Sequence, residues 1–160
     1  MKIVVLKFGG TSVGSVKRIK IVGKIIANYI KKNYKVIVLS SAMSGVTNDL
    51  IKKSKIISKN FSPSEYDVLV SAGEQMSCPL IAGELIEKGF MARSWLSWQV
   101  PIITKGEHKF SRIDQINKKN IINYLKKGGT PIVAGFQGIN TDQRVTTIGR
   151  GGSDSSAIMF

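Results

Sequence analysis

Two periods of hydrophobicity alternate along this chain. Residues 2–7 form a β-branched run that ends abruptly at Gly9 and Gly10, the pattern of a buried strand. The spacing then changes. Val16, Ile19, Val22, Ile26, Tyr29 and Ile30 recur at helical intervals while Lys17, Arg18, Lys20, Lys24 and Lys31 take the other faces, which predicts an amphipathic helix that stops near Asn33. Residues 35–40 repeat the strand pattern, and the polar turn from Ser40 to Thr47 leads into a lysine-rich helical segment. A strand–helix–strand unit of this kind is parallel as a rule. It puts both post-strand turns at one carboxyl edge, where α/β proteins bind ligands.

Beyond a loop around residues 60–64, a helix is expected from Gly73-Glu74 through Glu87, stopped by Gly89. Residues 90–96 and 101–104 read as short strands, 114–127 as a helix and Pro131–Phe136 as another buried strand. Asp142–Thr147 has the character of an exposed turn or hairpin, and Ser155–Phe160 that of a helix start. Alternating strands and helices give an α/β class with a mostly parallel sheet flanked by helices.

Composition narrows the function. At 160 residues, 42% hydrophobic and 21% charged, the chain suits one domain or part of one, with no disordered tract and no internal repeat. The net charge of +14 is spread along helix faces with few aromatic residues between the lysines, so it reads as solvated surface rather than a nucleic-acid site. Lys7 interrupts the N-terminal apolar run before a signal core can accumulate, and no uncharged stretch is long enough to span a membrane. A cytoplasmic protein is expected, without nucleic-acid or membrane partners. A single cysteine, Cys78, excludes an internal disulfide and is expected to be buried and inert. Cys78 and the only histidine, His108, lack metal-ligand spacing, so no metal is assigned to side chains. His108 is expected in a loop. Trp95 and Trp98 are expected to pack rather than to stack on a ligand.

The chemistry concentrates in two glycine-and-hydroxyl turns, Lys7-Phe8-Gly9-Gly10-Thr11-Ser12-Val13-Gly14 and Gly149-Arg150-Gly151-Gly152-Ser153-Asp154. Glycine lets the backbone approach phosphate oxygens, consecutive N–H groups can converge on an anion, and a following helix start adds positive potential. A lysine before the first turn and an arginine within the second suggest phosphoryl transfer assembled from distant segments. The lysine precedes its glycines, which separates the turn from a P-loop and from the dinucleotide fingerprint.

Read in order, the segments Lys7–Val13, Ser40–Asn48, Gly73-Glu74-Gln75-Met76-Ser77, Trp98-Gln99, Gly135–Gly138 and Gly149–Asp154 resemble the aspartate kinase family over essentially the whole chain. The resemblance implies a fold of the amino-acid-kinase, or carbamate-kinase-like, type. Residues 1–160 would form the N-terminal part of that domain, apparently truncated, with regulatory ACT domains and the adenine-binding half absent. It implies transfer of the ATP γ-phosphoryl group to the side-chain carboxylate of L-aspartate, with Mg2+, at the opening of lysine, threonine and methionine biosynthesis. By motif position, Lys7 and Asp154 would be catalytic, and Lys7, Phe8, Gly9, Gly10 and Ser40 would bind ATP phosphates. Thr47, Glu74, Arg150, Gly151 and Ser153 would bind aspartate. Ser155-Ser156 and Cys78-Pro79 depart from the residues common in the family, although neither removes a charged group. A complementary chain or a homo-oligomer is the expected protein partner. The alternatives are a noncatalytic remnant or interaction subunit, and a kinase for another acidic amino acid.

Overall fold

The computed structural model describes residues 2–149 and 160. Its first sheet is all parallel, in the order β1-β2-β6-β3, built from β1 (Ile3–Phe8), β2 (Lys35–Ser40), β6 (Thr130–Ala134) and β3 (Ala92–Trp95). The register from Ile3 opposite Lys35 to Phe8 opposite Ser40 brings the ends of β1 and β2 level, as the strand–helix–strand reading requires.

Alternation along the strands sorts the core into two layers. Val36, Val38, Ile132 and Ala134 face one side, where they pack with Ile19, Val22 and Ile26 of α1 (Val16–Lys31) and with Cys78, Ile81 and Leu85 of α3 (Pro63–Glu87). Ile37, Leu39 and Val133 face the other side, against Ile121 and Leu125 of α4 (Lys119–Lys126) and against Trp95. Helices therefore cover both faces, the solution that a sheet buried on both sides demands. α1 begins at Ser15, whose hydroxyl accepts the Arg18 N–H at 3.2 Å and so satisfies one of the amides a helix start leaves open. α2 (Val46–Ile57) follows Gly45, which adopts φ +85°.

A second, mixed sheet in the order β5-β4-β7-β8 lies alongside. It comprises β4 (Ile102–Lys105), β5 (Arg112–Ile116), β7 (Gln137–Ile139) and β8 (Val145–Thr147). Residues 114–116, the start of the expected 114–127 helix, thus belong to β5, which pairs antiparallel with β4, and the helix begins only at Lys119. Ile113 and Ile116 stand at an odd spacing, and a register shift that leaves Asp114 unpaired between Ile113 and Gln115 interrupts the alternation, so that both isoleucines pack on the core. The hairpin expected near 142–147 is present, but Thr146 and Thr147 are fully buried rather than exposed.

The largest correction concerns α3. It starts at Pro63, ten residues before the expected start, with proline in its first turn and Glu65 close behind, both favourable where amides lack partners. Gly73 and Glu74 consequently lie in mid-helix. The helix continues through Pro79, an interior proline whose missing N–H normally weakens a helix, and tertiary packing of its neighbours Cys78, Ile81 and Ala82 holds it in place. Cys78 is fully buried, and burial followed by the charge of Glu74 pushes its thiol well above the ordinary range, as an inert cysteine requires. Among the described residues no helix is long and apolar enough to cross a membrane.

Two glycines of α3 should respond oppositely to alanine. A Cβ at Gly73 would stand 2.6 Å from the Ala42 Cβ, whereas one at Gly83 meets nothing within 4 Å. Gly73→Ala should lose about 1–3 kcal/mol through overpacking. Gly83→Ala should gain about 0.5–1 kcal/mol of helix propensity. Urea unfolding of the two variants checks both signs.

Candidate functional site

Backbone spacing brings the first two motifs together. After β1 the chain turns at Gly9, whose carbonyl accepts Ser12 N–H at 2.9 Å and Val13 N–H at 3.2 Å. The turn after β2 lies against it, with Ser41 N–H donating to Phe8 C=O at 3.0 Å and Ser44 N–H to Gly10 C=O at 3.1 Å. A Cβ at Gly10 would come within 2.9 Å of the Ala42 carbonyl, so only glycine permits this approach. Lys7 is exposed at the end of β1. Its Nζ lies 3.7 Å from where a Gly9 Cβ would stand, which puts the ammonium over the glycine turn. Phe8 is buried in the core, so what it can offer a phosphate is its backbone.

α3 closes the site from one side. Glu74 is 4% exposed, not the solvated helix-start carboxylate that such a residue would be in isolation. Its Oε1 accepts the Ala42 backbone N–H at 3.0 Å, while Oε2 is buried and has no hydrogen-bond partner. Burial pushes the Glu74 carboxyl up to about 7, against the lowering effect of the Ala42 N–H and its own backbone N–H. One turn on, Ser77 Oγ donates to the Ser41 carbonyl at 2.8 Å and lies within hydrogen-bond distance, 2.9 Å, of the Ser40 hydroxyl. Ser40 is fully buried. Its hydroxyl bonds the Ser41 carbonyl and Ser77, a burial that the pattern of a strand-end serine did not reveal. Thr47 is half-buried in the first turn of α2, within the segment that carries Ser44.

The geometry therefore groups Lys7, Gly9, Gly10, Ser40 and Glu74, with Thr47 beside them. Arg150, Gly151, Ser153 and Asp154, the rest of the expected set, lie outside the described residues, as does the expected helix start at 155–159. The segment that leads to them is described: Ile148 N–H donates to Phe136 C=O at 3.0 Å, and Phe136 itself holds φ +63°. Sequence reasoning gave no role to Ser77, although its place three residues after Glu74 on a helix was available as a signal. It also left His108 as a plain loop residue, whereas the ring bonds the buried Asp67.

Two further findings bear on chemistry. Among the described residues no group of three His, Cys, Asp or Glu side chains could hold a metal ion. Trp95 is buried and packs edge-to-face on Tyr124, with the Arg93 guanidinium 4.4 Å from its ring. Trp98, by contrast, is 43% exposed and lines an open groove with Tyr124 and Asn120. The packing expected of both tryptophans holds for Trp95 alone.

The fold is one found in known proteins. Aspartokinase from Rickettsia conorii is 44% identical over 163 aligned residues, which take in all of this chain and 41% of that protein. The crystal structure of aspartate kinase from Synechocystis matches 99% of this chain and 26% of that one, with a TM-score of 0.82 at 38% identity. Aspartokinase III from E. coli, in complex with aspartate and ADP, shares the fold with a TM-score of 0.79 at 23% identity, over 96% of this chain and 45% of that one. The chain thus spans less than half the length of each of these relatives. Residues 2–160 match the model of the amino acid kinase family, and the chain belongs to that family, with its similarity directed at the N-terminal part of the aspartokinases.

Proposed function

We propose that this chain supplies the phosphate turn and the amino-acid-recognising carboxylate of an aspartate kinase, as the N-terminal part of its kinase domain. The observation that carries this reading is Glu74: a nearly buried carboxylate, one oxygen fixed by Ala42 N–H and the other lacking a donor, beside a glycine turn crowned by Lys7. A buried acceptor without a partner costs free energy until a donor arrives, and an ammonium group is the donor that also offsets the charge. Relatives named aspartokinase support the choice of amino acid.

In the proposed reaction a side-chain carboxylate oxygen of L-aspartate attacks the γ-phosphorus of ATP. The bond to the bridging oxygen breaks, and ADP leaves with the electron pair. The acceptor is already a nucleophile, so positioning and charge stabilisation suffice. Lys7 follows the phosphoryl group as a flexible point charge, and the backbone of Phe8, Gly9 and Gly10 approaches the phosphates. Glu74 takes the substrate α-ammonium with Thr47 beside it, and Ser40 holds the second turn in shape. By their place in the motif, Arg150, Gly151 and Ser153 receive the substrate carboxylate and Asp154 orients the reacting groups. Magnesium would arrive with ATP and offset phosphate charge; among the described residues no acidic cluster would hold it.

Three outcomes test the reading. L-aspartate should bind at least about tenfold more tightly than succinate, which keeps both carboxylates but lacks the ammonium. Equal affinity in a calorimetric titration would remove Glu74 from recognition. In an aspartate-dependent ADP-release assay on the complete kinase domain, Lys7→Ala should lower kcat by about 10²–10³ with a smaller change in aspartate affinity. An unchanged kcat would exclude Lys7 from the transfer step.

The pH dependence has a definite sign. With its pKa raised from 4.5 to about 7 in the folded chain, Glu74 binds more protons folded than unfolded between those values. Its contribution to stability therefore falls as pH rises from about 4.5 to about 7, by up to about 3 kcal/mol, and levels off above. Aspartate affinity should rise across the upper part of the same window, because the ionised carboxylate is the form that pairs with ammonium. Glu74→Gln should flatten both trends in parallel urea and aspartate titrations from pH 5 to 8.

A further inference from the structure

Gln137, the first residue of β7, is fully buried although its side chain is polar. Its Nε2 donates to the Ser71 carbonyl at 3.2 Å, while its Oε1 has no hydrogen-bond partner. Neither half of this amide adds much to stability. Ser71 lies in the interior of α3, where the helical ladder already brings its carbonyl the N–H of the residue four positions on. The bond from Gln137 is therefore a second one on a satisfied acceptor. A buried acceptor without a donor destabilises the fold more than an apolar side chain of the same shape would, so stability does not account for a glutamine here.

Its connections do. Two residues earlier, Gly135 N–H donates to the Ser40 carbonyl at 3.0 Å, and Phe136 between them holds φ +63°, a conformation that a non-glycine residue keeps only where its surroundings over-determine it. Residues 135–137 thus reach from the strand end at Ser40 across to Ser71. The return path runs along α3. Three residues after Ser71, Glu74 takes the Ala42 N–H, and three further on Ser77 bonds Ser40 and Ser41. The turn after β2, residues 135–137 and α3 therefore form a closed circuit, in which the Gln137 amide is the link between the second and the third. One turn before Ser71 the same hairpin holds the helix again: Thr147, opposite Gln137 in the register, donates its hydroxyl to the buried Asp67 at 2.5 Å. Asp67 also takes the Lys109 backbone N–H, at 3.0 Å. That carboxylate has its donors, whereas Gln137 keeps an open acceptor.

We propose that Gln137 is a positioning residue for amino-acid recognition: by tying the Ser71 carbonyl to the link between β6 and β7, it holds α3 at the height where Glu74 meets the Ala42 N–H. It acts through the helix and not on the substrate. This inference rests on the aspartate-binding reading above and adds to it a residue which that reading does not use.

The test uses Gln137→Met and Gln137→Leu, which remove the amide and keep an apolar side chain of similar size. Each variant is unfolded in urea, titrated with L-aspartate and with succinate, and followed by amide hydrogen exchange at Ala42, with Val38 and Ile132 of the first sheet as the control. Both variants should be as stable as the wild type or more so. Exchange at Ala42 should rise about tenfold or more while Val38 and Ile132 stay unchanged. Affinity for L-aspartate should fall about tenfold or more, and affinity for succinate, which lacks the ammonium, should not change. Unaltered exchange at Ala42 overturns the positioning role. Faster exchange there with unaltered aspartate affinity overturns its bearing on recognition, and an equal loss of aspartate and succinate overturns the route through Glu74. Variants that unfold at lower urea with faster exchange at Val38 and Ile132, or that do not fold at all, make Gln137 a residue of general fold support and also overturn the proposal. A wild-type protein that takes up no aspartate refutes the aspartate-binding reading instead, and the exchange comparison at Ala42 then decides the positioning role alone.

Discussion

Close contact between α3 and the turn after β2 is the constraint on which the site depends. Three residues of the helix meet three of the turn: Gly73 lies against Ala42, Glu74 accepts the Ala42 N–H, and Ser77 bonds Ser40 and Ser41. Remove the approach and the carboxylate loses its anchor. The same turn leans on the glycine turn after β1 through Ser44 and Gly10, so the helix, the second turn and the first turn are positioned in series. Apart from the Glu74 carboxylate, each link is a backbone group or a small side chain, which leaves little room for adjustment.

That geometry carries a cost. Glu74 is pulled from water with one oxygen unsatisfied, and burial disfavours its ionised form, which raises its pKa. Sites that bind charged ligands commonly retain such penalties, because the group that destabilises the free protein is the one the ligand relieves. Asp67, on the same helix, is buried with its needs met. One helix thus holds a satisfied carboxylate that fixes structure and an unsatisfied one suited to a cationic group.

Much of this was legible beforehand. Strands β1 and β2, helix α1 and the neighbouring post-strand turns follow from two hydrophobic periods separated by glycine and serine, because each element buries a face whose spacing is written locally. The reading failed where local signals competed. Residues 63–72 mix serines and acidic residues with Val68, Leu69 and Val70, so the early start of α3 was hidden despite its proline. Residues 114–116 lie in a strand whose alternation is broken by a register shift, and they abut a strongly amphipathic helix whose pattern absorbed them. Trp98 shares its spacing with Trp95, yet only Trp95 finds the core, since exposure depends on what the rest of the chain places opposite.

Sequence alone determined most of the element types, the mostly parallel character of the sheet and the grouping of Lys7, Gly9 and Gly10, because strand and helix periodicity and glycine's steric freedom act over a few residues. Only the tertiary structure decided that Glu74 is buried with a spare oxygen, that Ser40 faces inward and that Asp67 joins α3 to Lys109 and Thr147. Burial and hydrogen-bond partnership arise between residues as distant in sequence as Asp67 and Thr147, 80 positions apart. Nothing in the local pattern around a carboxylate says whether distant chain will bring it donors or only exclude its water.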